Sequence, residues 1–198
     1  MTQPDERLAL RSESTDPRAI RTRKALVDAT IAHLRERPAV EMSVSQVAKD
    51  AGVSRQVFYQ HFPDLDSLIY TAGQQILGGA YESFASNFES AADFAHAVEK
   101  LSLNLADDYA VLIHLMDSPV HSQLDAYVYD IMLPTLHDEI QTFLEERGIE
   151  HSEETISVLA RFFVAGAQEL LEDGARQGMK AEELAGRVAK VAEVLQIR

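Results

Sequence analysis

Apolar residues recur three and four positions apart along almost the whole chain, and no short alternating run is bounded by Asn-Gly or Asp-Gly. That periodicity belongs to helices with one buried face, so the sequence predicts an all-α protein. Asp16 before Pro17 is a cap followed by a first-turn proline, opening a helix that runs to about Arg37, where Pro38 stops it. Ile20, Leu26, Val27, Ala29, Ile31 and Leu34 supply its apolar positions. Ser43 followed three residues on by Gln46 is a capping-box pattern, which starts a short helix to about Ala51. Gly52 then supplies a turn, Ser54 caps a helix over 55–61, and Pro63 with Asp64 closes it and caps the next from Leu65.

The same reading places further helices at 65–82, 91–105, 107–116, 121–133, 135–147, 153–177 and 181–196. Asn87, Pro119, Pro134, Gly148 and Gly178 mark breaks between most of them. Within 65–82, Gly73, Gly78 and Gly79 each cost about 1 kcal/mol relative to Ala, so something must offset them. Two readings follow: a hinge in a helix that transmits a signal between domains, or close packing against a neighbouring helix.

Charge separates the chain into unlike parts. Residues 1–72 carry 10 Lys and Arg against 10 Asp and Glu, whereas residues 73–198 carry 8 against 22, which accounts for the whole net charge of −14. Within 18–55 there are 8 basic and 4 acidic residues, so a locally basic head precedes an acidic body. Such a body excludes indiscriminate coating of nucleic acid. The absence of cysteine excludes disulfides, thiolate catalysis and cysteine-bound zinc. Without a stretch of signal-peptide character at 1–16 or a run of about eighteen apolar residues, the expectation is a mobile arm at 1–16 and a cytoplasmic protein. The expected domains are 17–64 for the head and 65–198 for the body.

Two short helices joined by a glycine turn form the helix-turn-helix plan, in which the second helix enters the DNA major groove. Helical spacing turns Ala48, Val53, Phe58 and Phe62 inward and Arg55, Gln56, Tyr59 and Gln60 outward. Arg55 suits guanine O6 and N7, the glutamines suit adenine, and Val57 suits a thymine methyl. Tyr59 and His61 are candidate phosphate donors, and the helix starts capped by Ser43 and Ser54 offer N–H groups to anionic oxygens. No acid falls in the stretch "AGVSRQVFYQHF", as a surface facing phosphate requires.

Residues 20–68, above all "SVSQVAKDAGVSRQVFYQHFPDLDSL", resemble the TetR family of transcriptional regulators. The resemblance implies that Ser43 is a backbone-contacting cap, that Arg55, Gln56, Val57 and Gln60 read bases, and that Tyr59 and His61 anchor phosphates. It further implies a homodimer on a palindromic operator, most often a repressor released by a small molecule, with no catalysis and no cofactor. Leu65 stands where the family commonly has a phosphate-binding Lys, and "RERPAVEMS" lacks the glycine usual before the second helix. Arg18, Arg21 and Arg23 are the residues expected to compensate.

In the body, Ile156, Leu159, Phe163, Gly166, Ala167 and Leu170 share one face of a helix, and Leu184, Val188, Val191 and Leu195 share another. These two stripes either fill the subunit's own core or form a four-helix bundle across a two-fold axis, with Leu159, Phe163, Gly166, Leu170, Val188, Val191 and Leu195 at the dimer interface. Tyr109, His114, Met116, Tyr127, Met132, Phe162 and Gln168 are large, adaptable groups suited either to ordinary core or to an effector cavity. His114, Asp117 and His121 have metal-ligand spacing, but Pro119 interrupts their helix, and no metal is expected. A rival function keeps the DNA-binding head and makes the body a docking platform for another protein. A helical metal-dependent enzyme is the other, though no nucleophile-and-base motif supports it.

Overall fold

In the computed structural model, which describes residues 15–87, 100, 101, 103–105, 108–180, 183, 184, 186, 187 and 190, all regular structure is helical. The order is α1 (Pro17–Glu36), a 3₁₀ turn (Ala39–Glu41), α2 (Val44–Asp50), α3 (Arg55–His61), α4 (Leu65–Asn87), α5 (Tyr109–Met116), α6 (His121–Glu146) and α7 (Glu153–Arg176). Local chemistry sets the starts. Asp16, Ser43, Ser54, Asp64 and Ser152 accept hydrogen bonds from the backbone N–H of Arg18, Gln46, Val57, Ser67 and Thr155, filling donors that a helix start leaves open. No helix among the described residues is long and apolar enough to cross a membrane.

The chain divides into two compact units, residues 1–75 with 110–124 and residues 76–109 with 125–198, so the expected boundary after residue 64 falls inside the first. In the first unit Leu26, Leu34, Val47, Phe58, Phe62, Leu68, Val111 and Val120 are closed to solvent. Thr30, Ser118 and His114 there bond to backbone carbonyls, as low local polarity favours. Thr30 Oγ1 donates to the Leu26 carbonyl at 2.9 Å, and Ser118 Oγ donates to that of Leu115 at 2.6 Å. His114 Nδ1–H donates to the Leu34 carbonyl at 2.6 Å, fixing its tautomer because a carbonyl only accepts. Gly73 lies so close to Leu124 that a Cβ there would stand 2.7 Å from both leucine methyls.

In the second unit α6 departs from expectation, since Pro134 does not end it. Val128, Met132, Leu136, Ile140 and Leu144 are buried at strict four-residue spacing on both sides of the proline, while Pro134 itself faces solvent. The carbonyl its missing N–H would have served is left on the wet side, where water can satisfy it, and the continuous apolar stripe outweighs the local cost. α4 also runs further than the spacing implied, to Asn87 rather than 82. Gly78 packs under Tyr127, whose hydroxyl would lie 2.6 Å from an added Cβ. Close packing, the second of the two readings, is thus what Gly73 and Gly78 serve. On α7, Ile156, Ala160, Val164, Leu171 and Ala175 form the buried face.

Candidate nucleic-acid interface

α2 and α3 are joined by a Schellman turn at Gly52, whose φ of 70° is left-handed. Val53 N–H bonds the Ala48 carbonyl at 2.9 Å and Gly52 N–H bonds that of Lys49 at 3.0 Å, so the end of α2 is closed without outside partners. Ser54 then starts α3 at once, accepting from Val57 N–H at 3.2 Å. The interval between the two helices is therefore short and held by backbone bonds at Gly52 and Val53.

α3 sits on the core through Phe58 and Phe62, 0% and 1% exposed, whose rings are 6.1 Å apart. Burial of those two positions decides what the rest of the helix presents. Arg55 and Gln56 are exposed, Tyr59 is 45% exposed with its ring edge-on to Phe58 at 5.2 Å, and Val57 and Gln60 are half-buried at the margin. Ser43 and Ser54 remain at the surface as caps. Arg55, Gln56, Val57, Tyr59 and Gln60 thus share a solvent-facing surface that carries no acid. Val53, expected inward, is only half-buried.

His61 differs from the expectation. Its side chain is 6% exposed and turned to the inside, so it does not stand on that surface as a phosphate donor. Position 61 follows Phe58 by three residues, and that spacing places it on the same inward side of α3. Its carbonyl accepts from Arg23 Nη1 at 3.3 Å, and the Arg23 guanidinium lies 4.4 Å from the centre of the Phe62 ring. Partial burial lowers the Arg23 pKa from its ordinary value. Arg18 and Arg21, by contrast, are exposed on α1.

A second bonded pair braces α2 against α1. His33, 9% exposed, meets Asp50 through Nε2 at 2.7 Å, and Asp50 also accepts from the Gln46 side-chain amide at 3.0 and 2.9 Å. The Gln46 amide first, then His33, holds the Asp50 carboxyl below its ordinary value. Leu65, in place of the expected lysine, is half-buried behind the Asp64 cap, and Asp66 beside it is exposed.

The body residues fall out less uniformly. Of the seven expected to line an effector cavity, His114 and Met116 belong to the first unit and Tyr109, Tyr127, Met132, Phe162 and Gln168 to the second. Met132 is buried, and Tyr109, Met116, Tyr127 and Gln168 are half-buried. Phe162 is a correction: it is 66% exposed, because it lies on the side of α7 away from Ile156, Ala160 and Val164. Val158, 59% exposed, stands one turn before it. Leu159, Phe163 and Leu170 are half-buried and Gly166 is exposed, flanking that same outward side, whereas Ile156 from the expected stripe belongs to the core. Val188, Val191 and Leu195 lie outside the described residues. Sequence reasoning passed over Tyr81, a buried phenol whose pKa is raised by burial first and then by the Glu172 and Asp125 carboxylates.

Residues 26–69 match the family model described as bacterial regulatory proteins, tetR family. No curated protein matches the sequence. Among solved structures, a putative transcriptional regulator from Pseudomonas aeruginosa PAO1 superposes with a TM-score of 0.67 at 16% identity, covering 96% of this chain and 100% of that one. The FadR regulator of Bacillus subtilis, in complex with stearoyl-CoA, gives 0.65 at 18% identity over 85% and 96%. NalD of Pseudomonas aeruginosa, the secondary repressor of the MexAB-OprM multidrug efflux pump, gives 0.62 at 18% over 85% and 95%. At these identities the likeness concerns the fold.

Proposed function

We propose, from the match of residues 26–69 to the tetR family of bacterial regulatory proteins, that this chain is a member of that family and a homodimeric repressor that occupies a palindromic operator and leaves it when a small molecule binds the body. The observation that carries the reading is the solvent-facing side of α3. Arg55, Gln56 and Tyr59 stand exposed on a helix anchored by two buried phenylalanines, with base-reading groups and no carboxylate among them. One such helix spans few base pairs, and two of them on a two-fold axis would place their centres about 34–36 Å apart, one turn of DNA. The outward apolar side of α7, with Val158 and Phe162, is the surface we assign to the dimer contact. A ligand-responsive body is supported by the fold shared with a regulator solved with stearoyl-CoA.

Selection of bound duplexes from a random pool tests the reading directly. A sequence with two-fold symmetry is the expected product. Arg55→Ala should then relax preference at one base position by about 1–3 kcal/mol, whereas Tyr59→Phe should weaken all duplexes alike. A purified chain that is monomeric and selects no sequence over bulk competitor at moderate salt would overturn it, and compounds that release the selected duplex would identify the effector class.

A further inference from the structure

Resting on that DNA-binding reading, we infer that Arg23 is a positioning residue for α3 rather than a phosphate contact. Three observations meet at it. α3 is only seven residues long, and position 63 is a proline, which brings no N–H to the Tyr59 carbonyl four residues before it. Arg23 Nη1 donates to the His61 carbonyl in that last turn at 3.3 Å, putting a cation where the helix end is negative. Its planar group also lies over Phe62, 4.4 Å from the ring centre, and Phe62 is the residue that caps α3 and is 1% exposed.

A guanidinium engaged in this way is half-buried, while its neighbours Arg21 and Lys24 are exposed and free to face an anion or, for Lys24, to pair with Asp28 at 2.6 Å. Arg23 therefore joins the middle of α1 to the far end of the reading helix, across 38 residues of sequence. The bonded turn at Gly52 holds α3 at its N-terminal end, and the other end, seated on Phe58, His61 and Phe62, could still rotate about that point. Bonding its C-terminal carbonyl to a fixed helix removes that rotation and sets where Arg55 and Gln56 arrive.

The test uses full-length Arg23→Met and Arg23→Lys with two readouts. Amide hydrogen exchange of the free protein should quicken about tenfold across residues 58–62 in Arg23→Met, with Leu26, Val27 and Leu34 of α1 unchanged as evidence of an intact fold. Affinity for a duplex selected by the unaltered chain should fall about tenfold in both variants, with the slope of log K against log salt retained, because no phosphate contact is lost. Unchanged exchange in Arg23→Met overturns the inference. So does a salt slope reduced by about one in Arg23→Met together with unaltered affinity in Arg23→Lys, the signature of a cation on phosphate. Should the unaltered chain select no duplex, the DNA-binding reading fails, and the exchange experiment still decides whether Arg23 holds α3.

Discussion

Three glycines on one helix should respond to the same substitution with different signs. Gly73→Ala, Gly78→Ala and Gly79→Ala each add one methyl group to α4, and each gains about 1 kcal/mol of helix propensity. What opposes the gain differs. At Gly73 the new Cβ would stand 2.7 Å from both methyls of Leu124, which is 3% exposed and enclosed on all sides. Overpacking a closed site costs about 1–3 kcal/mol, so the net expectation is a loss of up to about 2 kcal/mol. At Gly78 the obstacle is the Tyr127 hydroxyl at 2.6 Å, the outer end of a half-buried side chain that can swing aside, and the two effects nearly cancel. At Gly79 nothing lies within 4 Å, and the full gain of about 1 kcal/mol should appear. Urea unfolding should rank the midpoints Gly79→Ala above the unaltered chain and Gly73→Ala below it, with m constant. Thermal midpoints should spread by roughly 2–12 °C between those two variants. A helix that used its glycines only for bending would show the same small stabilisation at all three, and that result would refute the packing argument.

Pro134→Ala should raise stability by about 1–3 kcal/mol in a thermal melt, since it restores a backbone N–H to the exposed side of α6 without touching the buried stripe. A loss of stability would mean that the proline shapes the helix. Asp50 gives an acid-side prediction: its folded pKa is depressed by Gln46 and His33, so the unfolded chain binds the proton more tightly. The stability it contributes is complete above the ordinary aspartate value of about 3.9 and is lost as pH falls through the depressed one. Asp50→Asn should flatten the loss of stability below about pH 4, measured by denaturation at stepped pH, while an unaltered acid limb would remove the pair from the account. Phe162→Asp should convert the proposed dimer to monomer by mass measurement at micromolar concentration, because it would set a charge in the contact assigned to α7, where burying a phenylalanine contributes about 1.5–3 kcal/mol per subunit. Retention of the dimer would place the contact elsewhere.

The head was legible because short-range chemistry decides it. Ser43, Ser54, Asp16 and Asp64 act within three residues of themselves, and Gly52 needs only its own φ, so quoted sequence and observed turn coincide. Pro134 misled because its local cost is real but smaller than the burial of five residues on the other side of α6, and the weighing of the two is a tertiary matter. Phe162 was misplaced for a related reason. An aromatic within an apolar run reads as interior, yet only the phase set by Ile156, Ala160 and Val164 tells which side of α7 is inside.

Residue type settles still less for the cations. Arg18, Arg21, Arg23 and Arg55 are indistinguishable as letters in a basic segment, and a net charge count treats them as one electrostatic footprint. Three of them stand in solvent; the fourth is held by a carbonyl and a ring brought from 38 and 39 residues away, neither of which carries a charge that a sequence scan would flag. The basic head is therefore two things at once. On the DNA-binding reading, its exposed arginines would supply an attraction that salt weakens, and Arg23 would set the pose in which that attraction becomes selective. Because Arg23 is screened from bulk ions by the groups around it, salt should tune the first contribution and leave the second in place. Specificity measured as the ratio of selected to random duplex should then change less with salt in the unaltered chain than either affinity does alone.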